Sequence, residues 1–161
     1  MRETFPTALG LLWAREEARP QKLSTKRGAT RLGLTRKTVA SWMGCRVTDV
    51  DLNDLEKGAA GAILHVWFWR GVRADEPPLG LDYALFCHAV ASGPRQAITE
   101  LQYVLTQRPT GEMDGRTLRA AERADGPAMI SSLSHLRRRA GADEAELAAI
   151  EREALRLAGD V

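Results

Sequence analysis

The stretch LGLDYALFCHAVASGPRQAITELQYVLTQ, residues 79–107, predicts the centre of the fold. From Leu79 to Ala91 the residues are apolar on nearly every side, which is typical of a helix buried in a core. Gly93-Pro94 then begins a second helix, because proline is favoured in the first helical turn. The second helix carries apolar residues at helical spacing to the end of the stretch. Two consecutive helices, the first of them central, are therefore expected.

Helical spacing of apolar residues also dominates the rest of the chain. No segment alternates convincingly with a period of two, and β-branched residues are sparse. We therefore expect an all-α fold, with or without a small β-hairpin in the basic stretch from Arg19 to Arg36. The further predicted helices cover residues 5–17, 36–43, about 53–69, 115–123, 127–139 and 143–157.

Capping residues mark the ends of two of these helices. Thr35 is placed to cap the helix 36–43 and Gly44 to end it, because threonine accepts from free N–H groups and glycine tolerates the left-handed conformation. Asp51 or Asn53 can cap the next helix, which we expect to run to about Trp69.

Composition indicates a compact globular protein. Of the 161 residues, 44% are hydrophobic and 27% are charged, and the net charge is only +2, which excludes a disordered chain and a uniformly basic nucleic-acid coat. Cys45 and Cys87 are expected to be ordinary buried thiols, with a single bridge left open. The N-terminus lacks the pattern of a signal peptide, and no apolar run reaches the roughly 20 residues that cross a bilayer. We therefore expect synthesis in the cytosol and no membrane span.

Two adjacent glutamates at the end of the first predicted helix, Glu16 and Glu17, are the sharpest local indication of chemistry. A carboxyl group at such a position can act as a general acid, although a solvated helix end is the simpler explanation of the pair taken alone. The aromatic run Trp67-Phe68-Trp69 is a candidate sugar-stacking surface, with Trp67 itself expected in the core. The three histidines are widely spread without metal-ligand spacing, so neither a metal site nor a cofactor is predicted.

The basic stretch also permits a second interpretation, a helix-turn-helix. Ala29, Gly33 and Val39 have the spacing of that motif, with Trp42 on the core face of the recognition helix. Between Arg19 and Lys37 there are seven Lys or Arg residues and no acid, as phosphate contacts would require. A solvated basic loop explains the same residues, and matches of this kind are common by chance.

Taken together, these segments resemble glycoside hydrolase family 108, the bacterial and phage N-acetylmuramidases of lysozyme type. The family has an apolar helix ending in E-G-G, followed by a loop D-P-G-G-A-T-N-x-G-I-T. Glu16 matches the glutamate, Gly28-Ala29-Thr30 matches G-A-T, and Gly33-Leu34-Thr35 matches G-I-T. The family's Y-W, D-x-L-P and F-D-x-x-V-N-x-G-P are met further on by Phe68-Trp69, Asp75, Pro78 and the segment from Phe86 to Pro94. The resemblance covers about residues 5–125 and outweighs the helix-turn-helix spacing, so no nucleic acid is expected as a partner.

The end of the resemblance is similar to the start of a peptidoglycan-binding module. Ala97, Leu101 and Gln102 meet its A-x-x-x-L-Q, and Gly111 and Thr117 keep part of its D-G-x-x-G-x-x-T. We accordingly divide the chain into a lysozyme-like part (1–90), a helical peptidoglycan-binding-like part (91–140) and a C-terminal helix (141–161). That last helix has no counterpart in the family pattern.

The resemblance implies that Glu16 is the general acid for the β-1,4 bond between N-acetylmuramic acid and N-acetylglucosamine in peptidoglycan. It also implies that Thr30, Gly33 and Trp69 contact the substrate, with the alternative that Thr30 positions the loop beside Glu16. Several positions depart from the pattern, which leaves open a degenerate member that binds glycan or protein without cutting. The departing residues include Glu17 for a glycine, Thr25 for the loop aspartate, Arg27 for a glycine and Arg31 for the asparagine. Action on the wall, in the periplasm or outside, implies export by a holin, a phage-like particle or a secretion system.

Overall fold

The computed structural model describes residues 4–18 and 30–159. Within them, nine α-helices and one two-stranded hairpin confirm the predicted all-α fold and give the hairpin that the sequence left open. The predicted residues Thr25, Arg27, Gly28 and Ala29 lie outside the described residues. The elements are α1 (Phe5–Ala18), β1 (Thr30–Arg31), β2 (Leu34–Thr35), α2 (Arg36–Met43), α3 (Asp49–Asn53), α4 (Lys57–Ile63), α5 (Leu81–Ser92), α6 (Pro94–Val104), α7 (Gly115–Arg123), α8 (Gly126–Arg139) and α9 (Glu144–Gly159).

The cap predicted for α2 is present in full. The Thr35 hydroxyl accepts a hydrogen bond from the Thr38 backbone N–H at 3.2 Å. Gly44 ends the helix in the left-handed conformation, with φ +68°. Because both ends carry residues that suit only a helix terminus, the bounds of α2 were readable from the sequence.

The single helix predicted from about residue 53 to Trp69 is wrong in both its start and its continuity. α3 begins earlier, because Thr48 is its N-cap and forms a capping box with Asp51, so that Asp51 serves as the third helical residue and not as the cap. After α4 the chain continues as a π-helical turn, Leu64–Trp69, which changes the direction of successive side chains relative to an α-helix.

The described chain divides into two compact units, and the division follows Trp67. In the first unit α1 lies antiparallel to α4 and the π-helical turn. Near the end of α1, Glu17 pairs with Lys57 at 3.1 Å. Near its start, the rings of Phe5 and His65 lie 4.7 Å apart.

The second unit is built around α5, which packs against α6, α8 and α9. Its residues from Leu81 to Val90 are all buried, as predicted for a central helix. The division after Trp67 places the start of α5's unit well before the predicted boundary at residue 90. The C-terminal helix predicted as a separate part packs on α8 and α5, because Leu147, Ile150 and Ala154 supply it with an apolar face.

Two aspartates hold helices by accepting hydrogen bonds at their first turns. The Thr48 backbone N–H donates to Asp51 at 2.7 Å, and this bond lowers the pKa of Asp51 below its ordinary value. The Thr117 backbone N–H likewise donates to Asp114 at 2.7 Å and lowers the pKa of Asp114. Both shifts arise from capping.

None of the described helices has the length and apolar character needed to traverse a bilayer.

Candidate functional site

A tight hairpin follows α1 in the first unit, and its turn is formed by Leu32 and Gly33. Both have positive φ, +53° and +86°, the combination found in two-residue hairpin turns. Gly33 adopts this conformation without a steric penalty, whereas Leu32 does not. Leu32 and Leu34 are buried at 6% and 1% exposure, and this apolar burial offsets the strain of the turn. Gly33, predicted to contact substrate, thus lies in the turn itself.

The hairpin brings Thr30 to the carboxylate of Glu16. The Thr30 hydroxyl donates a hydrogen bond to Glu16 Oε2 at 3.2 Å, across fourteen positions of sequence. In the hairpin register Thr30 pairs with Thr35, the residue that caps α2. The start of α2 therefore fixes the position of Thr30, and the hydrogen bond joins Thr30 to the end of α1. Both side chains are half-buried.

Glu17, one residue further along α1, has a different environment. Its carboxylate is exposed and forms the ion pair with Lys57 described above, and the Lys57 ammonium also lies 5.4 Å from the ring centroid of Trp13. The Lys57 ammonium therefore forms an ion pair with a carboxylate and a cation–π contact with an aromatic ring at the same time. The two adjacent glutamates are thus separated in role, because Glu16 meets the hairpin whereas Glu17 meets α4.

The predicted assignments of the aromatic run are reversed in the structure. Trp69, expected to contact sugar, is fully buried, donates from Nε1 to Asp75 at 2.9 Å and packs edge-on against Phe86. It has no exposed face on which a sugar could stack, so its role here is core packing. Trp67, expected in the core, is 36% exposed. The π-helical turn causes the exchange, since i,i+5 bonding places different residues on the buried face.

The helix-turn-helix interpretation fails on the described residues. Gly33 lies in a β-turn between two strands, so the element before α2 is a hairpin where that motif requires a helix. Trp42, predicted on the core face, is 38% exposed, although Val39 is buried as expected. Exposed Arg36 at the start of α2 pairs with Asp49 at 2.9 Å.

The residues that resemble a peptidoglycan-binding module have a structural role in the second unit. Buried Gln102 donates from Nε2 to Thr110, to Thr117 and to the carbonyl of Glu112, at 3.0–3.1 Å. Its Oε1 accepts from the Gly111 backbone N–H at 2.9 Å. The glutamine therefore holds the loop between α6 and α7, which explains the spacing of the motif without a ligand.

The remaining candidate groups do not assemble into a further site. Among residues 4–18 and 30–159, no cluster of His, Cys, Asp and Glu has the geometry of a metal site. Cys45 and Cys87, both among the described residues, form no disulfide; Cys87 is buried as expected, but Cys45 is exposed. Cys45 follows the glycine that ends α2, where the chain leaves the helix at the surface.

Comparisons with known proteins agree with this arrangement. Residues 16–93 match the family model described as Glycosyl hydrolase 108. The structure of SagA from Brucella abortus matches with a TM-score of 0.86 and 25% sequence identity, over 96% of this chain and 95% of that chain. No curated protein matches. The family match begins at Glu16 and includes the hairpin, α2 and α5. Residues 16–93, just under half of the chain, therefore resemble the glycosyl hydrolase 108 family, and this match supports a glycoside hydrolase.

Proposed function

We propose that this protein is a glycoside hydrolase, an N-acetylmuramidase that cleaves the β-1,4 bond between N-acetylmuramic acid and N-acetylglucosamine in peptidoglycan, with Glu16 as its general acid. One observation carries the proposal, the hydrogen bond from Thr30 to Glu16 at 3.2 Å. It joins the two matched motifs of the family, the glutamate at the end of α1 and the threonine of the following loop, in one half-buried place.

In this reaction Glu16 donates its proton to the bridging oxygen as the bond from that oxygen to the anomeric carbon breaks. The positive charge that develops on the sugar ring is the usual feature of glycoside hydrolysis. Water then adds to the anomeric carbon, and the proton released restores the acid. Thr30 acts as a positioning residue, because its bond to Oε2 limits the rotation of the carboxyl group and so favours the reactive geometry.

The proposed reaction uses a single glutamate. Glycosidases ordinarily have a second carboxylate as nucleophile or base, and Glu17 is the nearest in sequence. Glu17 is held by Lys57 on the exposed side of α1, which makes it a poor candidate for that role. Thr25, which stands where the family has aspartate, lies outside the described residues.

The alternative is a family member that binds glycan or protein without cutting. The same ion pair favours it, because it engages Glu17, the carboxylate adjacent to Glu16 in sequence, with a lysine. This alternative shares the fold and the Glu16–Thr30 contact, so only an activity measurement separates the two.

The proposed substrate lies outside the cytoplasmic membrane. We propose that the enzyme acts in the periplasm or on the cell wall, which it reaches through a holin, a phage-like particle or a secretion system. A separate experiment tests this part. The protein is expressed in host strains that each carry one of the three export routes, and antibody detection measures how much of it is found outside the cytoplasm.

Purified peptidoglycan incubated with the wild type, with Glu16→Gln and with Glu17→Gln tests the chemistry. Loss of turbidity with the wild type and with Glu17→Gln, but not with Glu16→Gln, supports the proposal. Mass spectrometry of the products must place N-acetylmuramic acid at the new reducing ends, since N-acetylglucosamine there would mean a different bond. Folded wild-type protein that clears nothing would favour the binding-only alternative.

The positioning role of Thr30 needs its own pair of variants. Thr30→Ser keeps the hydroxyl and Thr30→Val removes it at nearly constant volume. A hydrogen bond to a charged group contributes about 1.5–3 kcal/mol, so we expect kcat for Thr30→Val to fall by roughly ten- to a hundredfold with KM little changed. Equal activity of both variants would remove Thr30 from the mechanism.

A further inference from the structure

Two tryptophans at the surface of the first unit form an exposed aromatic pair. Trp42, in the last turn of α2, and Trp67, in the π-helical turn, have ring centroids 5.3 Å apart and an angle of 72° between their planes. Their exposures are 38% and 36%. We propose that this Trp42–Trp67 pair is a carbohydrate-binding subsite that holds the glycan strand at a distance from Glu16. This inference rests on the proposed glycan substrate but not on Glu16 being the acid.

The exposure of these rings is a consequence of the local backbone. The π-helical turn buries Phe68 and Trp69, and Trp67 is directed outward as a result. On α2 the buried residue is Val39, and Trp42 follows it by three positions in the last turn before Gly44. An indole ring that stays in water does not gain the favourable free energy of burying its large apolar surface. Two such rings in contact at a surface therefore indicate a binding site more strongly than one alone.

α2 begins next to the Glu16–Thr30 contact, and Trp42 of the pair lies in its last turn. The start of α2 is fixed to that contact, because Thr30 pairs with Thr35. Trp42 is seven residues further along, which corresponds to about 10 Å of helix. An oligosaccharide that reaches from Glu16 along α2 can therefore extend to the tryptophans, whereas a single sugar at Glu16 cannot.

The charge along this path complements an anionic glycan. From Thr30 to Arg46 the chain has four cationic residues and no acidic residue. All four are exposed: Arg31, Arg36, Lys37 and Arg46. N-acetylmuramic acid carries a lactyl carboxyl group, and peptide stems attached to it carry more. Exposed cations on the segment that carries Trp42, of which Arg36 also pairs with Asp49, suit a polymer with flat sugar rings and carboxylates.

An apolar protein partner is the competing occupant of this surface. Met43 and Val66 flank the tryptophans and are 60% and 41% exposed. Such a partner needs apolar area, whereas a sugar needs the flat face of a ring. Substitutions that retain one property and remove the other therefore distinguish the two occupants.

The experiment measures binding to insoluble peptidoglycan by sedimentation, in a Glu16→Gln background so that no cleavage interferes. Trp42→Tyr and Trp67→Tyr keep a ring, whereas Trp42→Met and Trp67→Met keep apolar character without one. The control is Tyr103→Met, which removes a 59% exposed ring from the second unit. Circular dichroism melting confirms that each variant is folded.

We expect the Met variants to bind about tenfold more weakly, the Tyr variants to lie near the parent and the Tyr103 control to be unchanged. The same ratio is expected for glycan strands freed of peptide. Equal binding by the Met variants and the parent would overturn the proposal, as would an equal loss in the Met and Tyr variants. If the wild type fails to cleave but the ring dependence is found, the subsite stands and the catalytic proposal fails.

Discussion

Gln102 provides a sharp test of whether the motif that resembles a peptidoglycan-binding module is structural in this chain. Its side chain makes four hydrogen bonds to the loop between α6 and α7 and is 1% exposed. Replacement by methionine keeps the length and approximate volume of the side chain but removes all four bonds. We expect the second unit to be destabilised and the binding of the folded protein to peptidoglycan to be unchanged.

The size of the loss follows from what each partner can do afterwards. Gly111 is buried, so its N–H loses its acceptor without access to water, at a cost of about 1–3 kcal/mol. Thr110 and Glu112 are exposed, so water can replace their lost hydrogen bonds. Thr117 keeps its hydrogen bond to Asp114. The total is therefore about 2–3 kcal/mol, which corresponds to a melting temperature lower by roughly 4–12 °C.

Differential scanning calorimetry of the wild type, Gln102→Met and Thr110→Val measures this loss. Thr110→Val is the matched control, because it removes one of the four bonds without isolating a buried group, and it is expected to cost less than about 1 kcal/mol. A Gln102→Met protein that melts with the wild type but binds peptidoglycan more weakly would refute the reasoning. Gln102 would then be a ligand contact and the hydrogen bonds incidental.

Three further outcomes follow from contacts in the second unit. Gly80→Ala is expected to destabilise the protein by about 2–5 kcal/mol in urea unfolding, because φ is +84° there and a Cβ would lie 2.3 Å from the carbonyl oxygen of Ala154. Arg137→Met is expected to cost about 3–5 kcal/mol in the same assay, since it leaves the buried carboxylate of Glu100, 2.9 Å away, without its cation. The backbone hydrogen bond at the start of α7 lowers the pKa of Asp114 below 3.8, so its stabilisation is complete above that pH and is lost as the pH falls through the folded value. Asp114→Asn, which keeps a capping oxygen, should therefore lose less stability between pH 5 and pH 2 than the wild type in acid-unfolding curves, and equal losses would contradict this account.

Where local chemistry sets an element, the sequence predicted it closely. Gly93-Pro94 separates α5 from α6 because proline fits the first helical turn, and Thr35 with Gly44 sets both ends of α2. The start of α3 was missed, because Thr48 and Asp51 act as a reciprocal pair. Asp51 has the side chain of a capping residue but lies at the third helical position.

The Glu16–Thr30 contact depends on a feature that local sequence does not encode. Glu16 and Thr30 are fourteen positions apart in sequence, and the hairpin that begins at Thr30 turns through Leu32, whose positive φ is offset by its burial. Turn rules would favour asparagine or glycine at that position. The contact was therefore foreseen only through the resemblance to the family, which supplied Thr30 as a matched residue without its geometry.

The aromatic run Trp67-Phe68-Trp69 shows why a residue that matches a family motif need not contact the substrate. Trp69 matches the family's tryptophan in sequence, yet it is fully buried and bonded to Asp75. The π-helical turn exposes Trp67, two positions earlier, beside Trp42. Such a turn changes which residues face solvent without changing the residues themselves. If Trp67 and Trp42 hold the glycan as proposed, the residues that recognise substrate in this chain include ones that the family pattern does not name, and a Trp69 variant would lose stability before it lost binding.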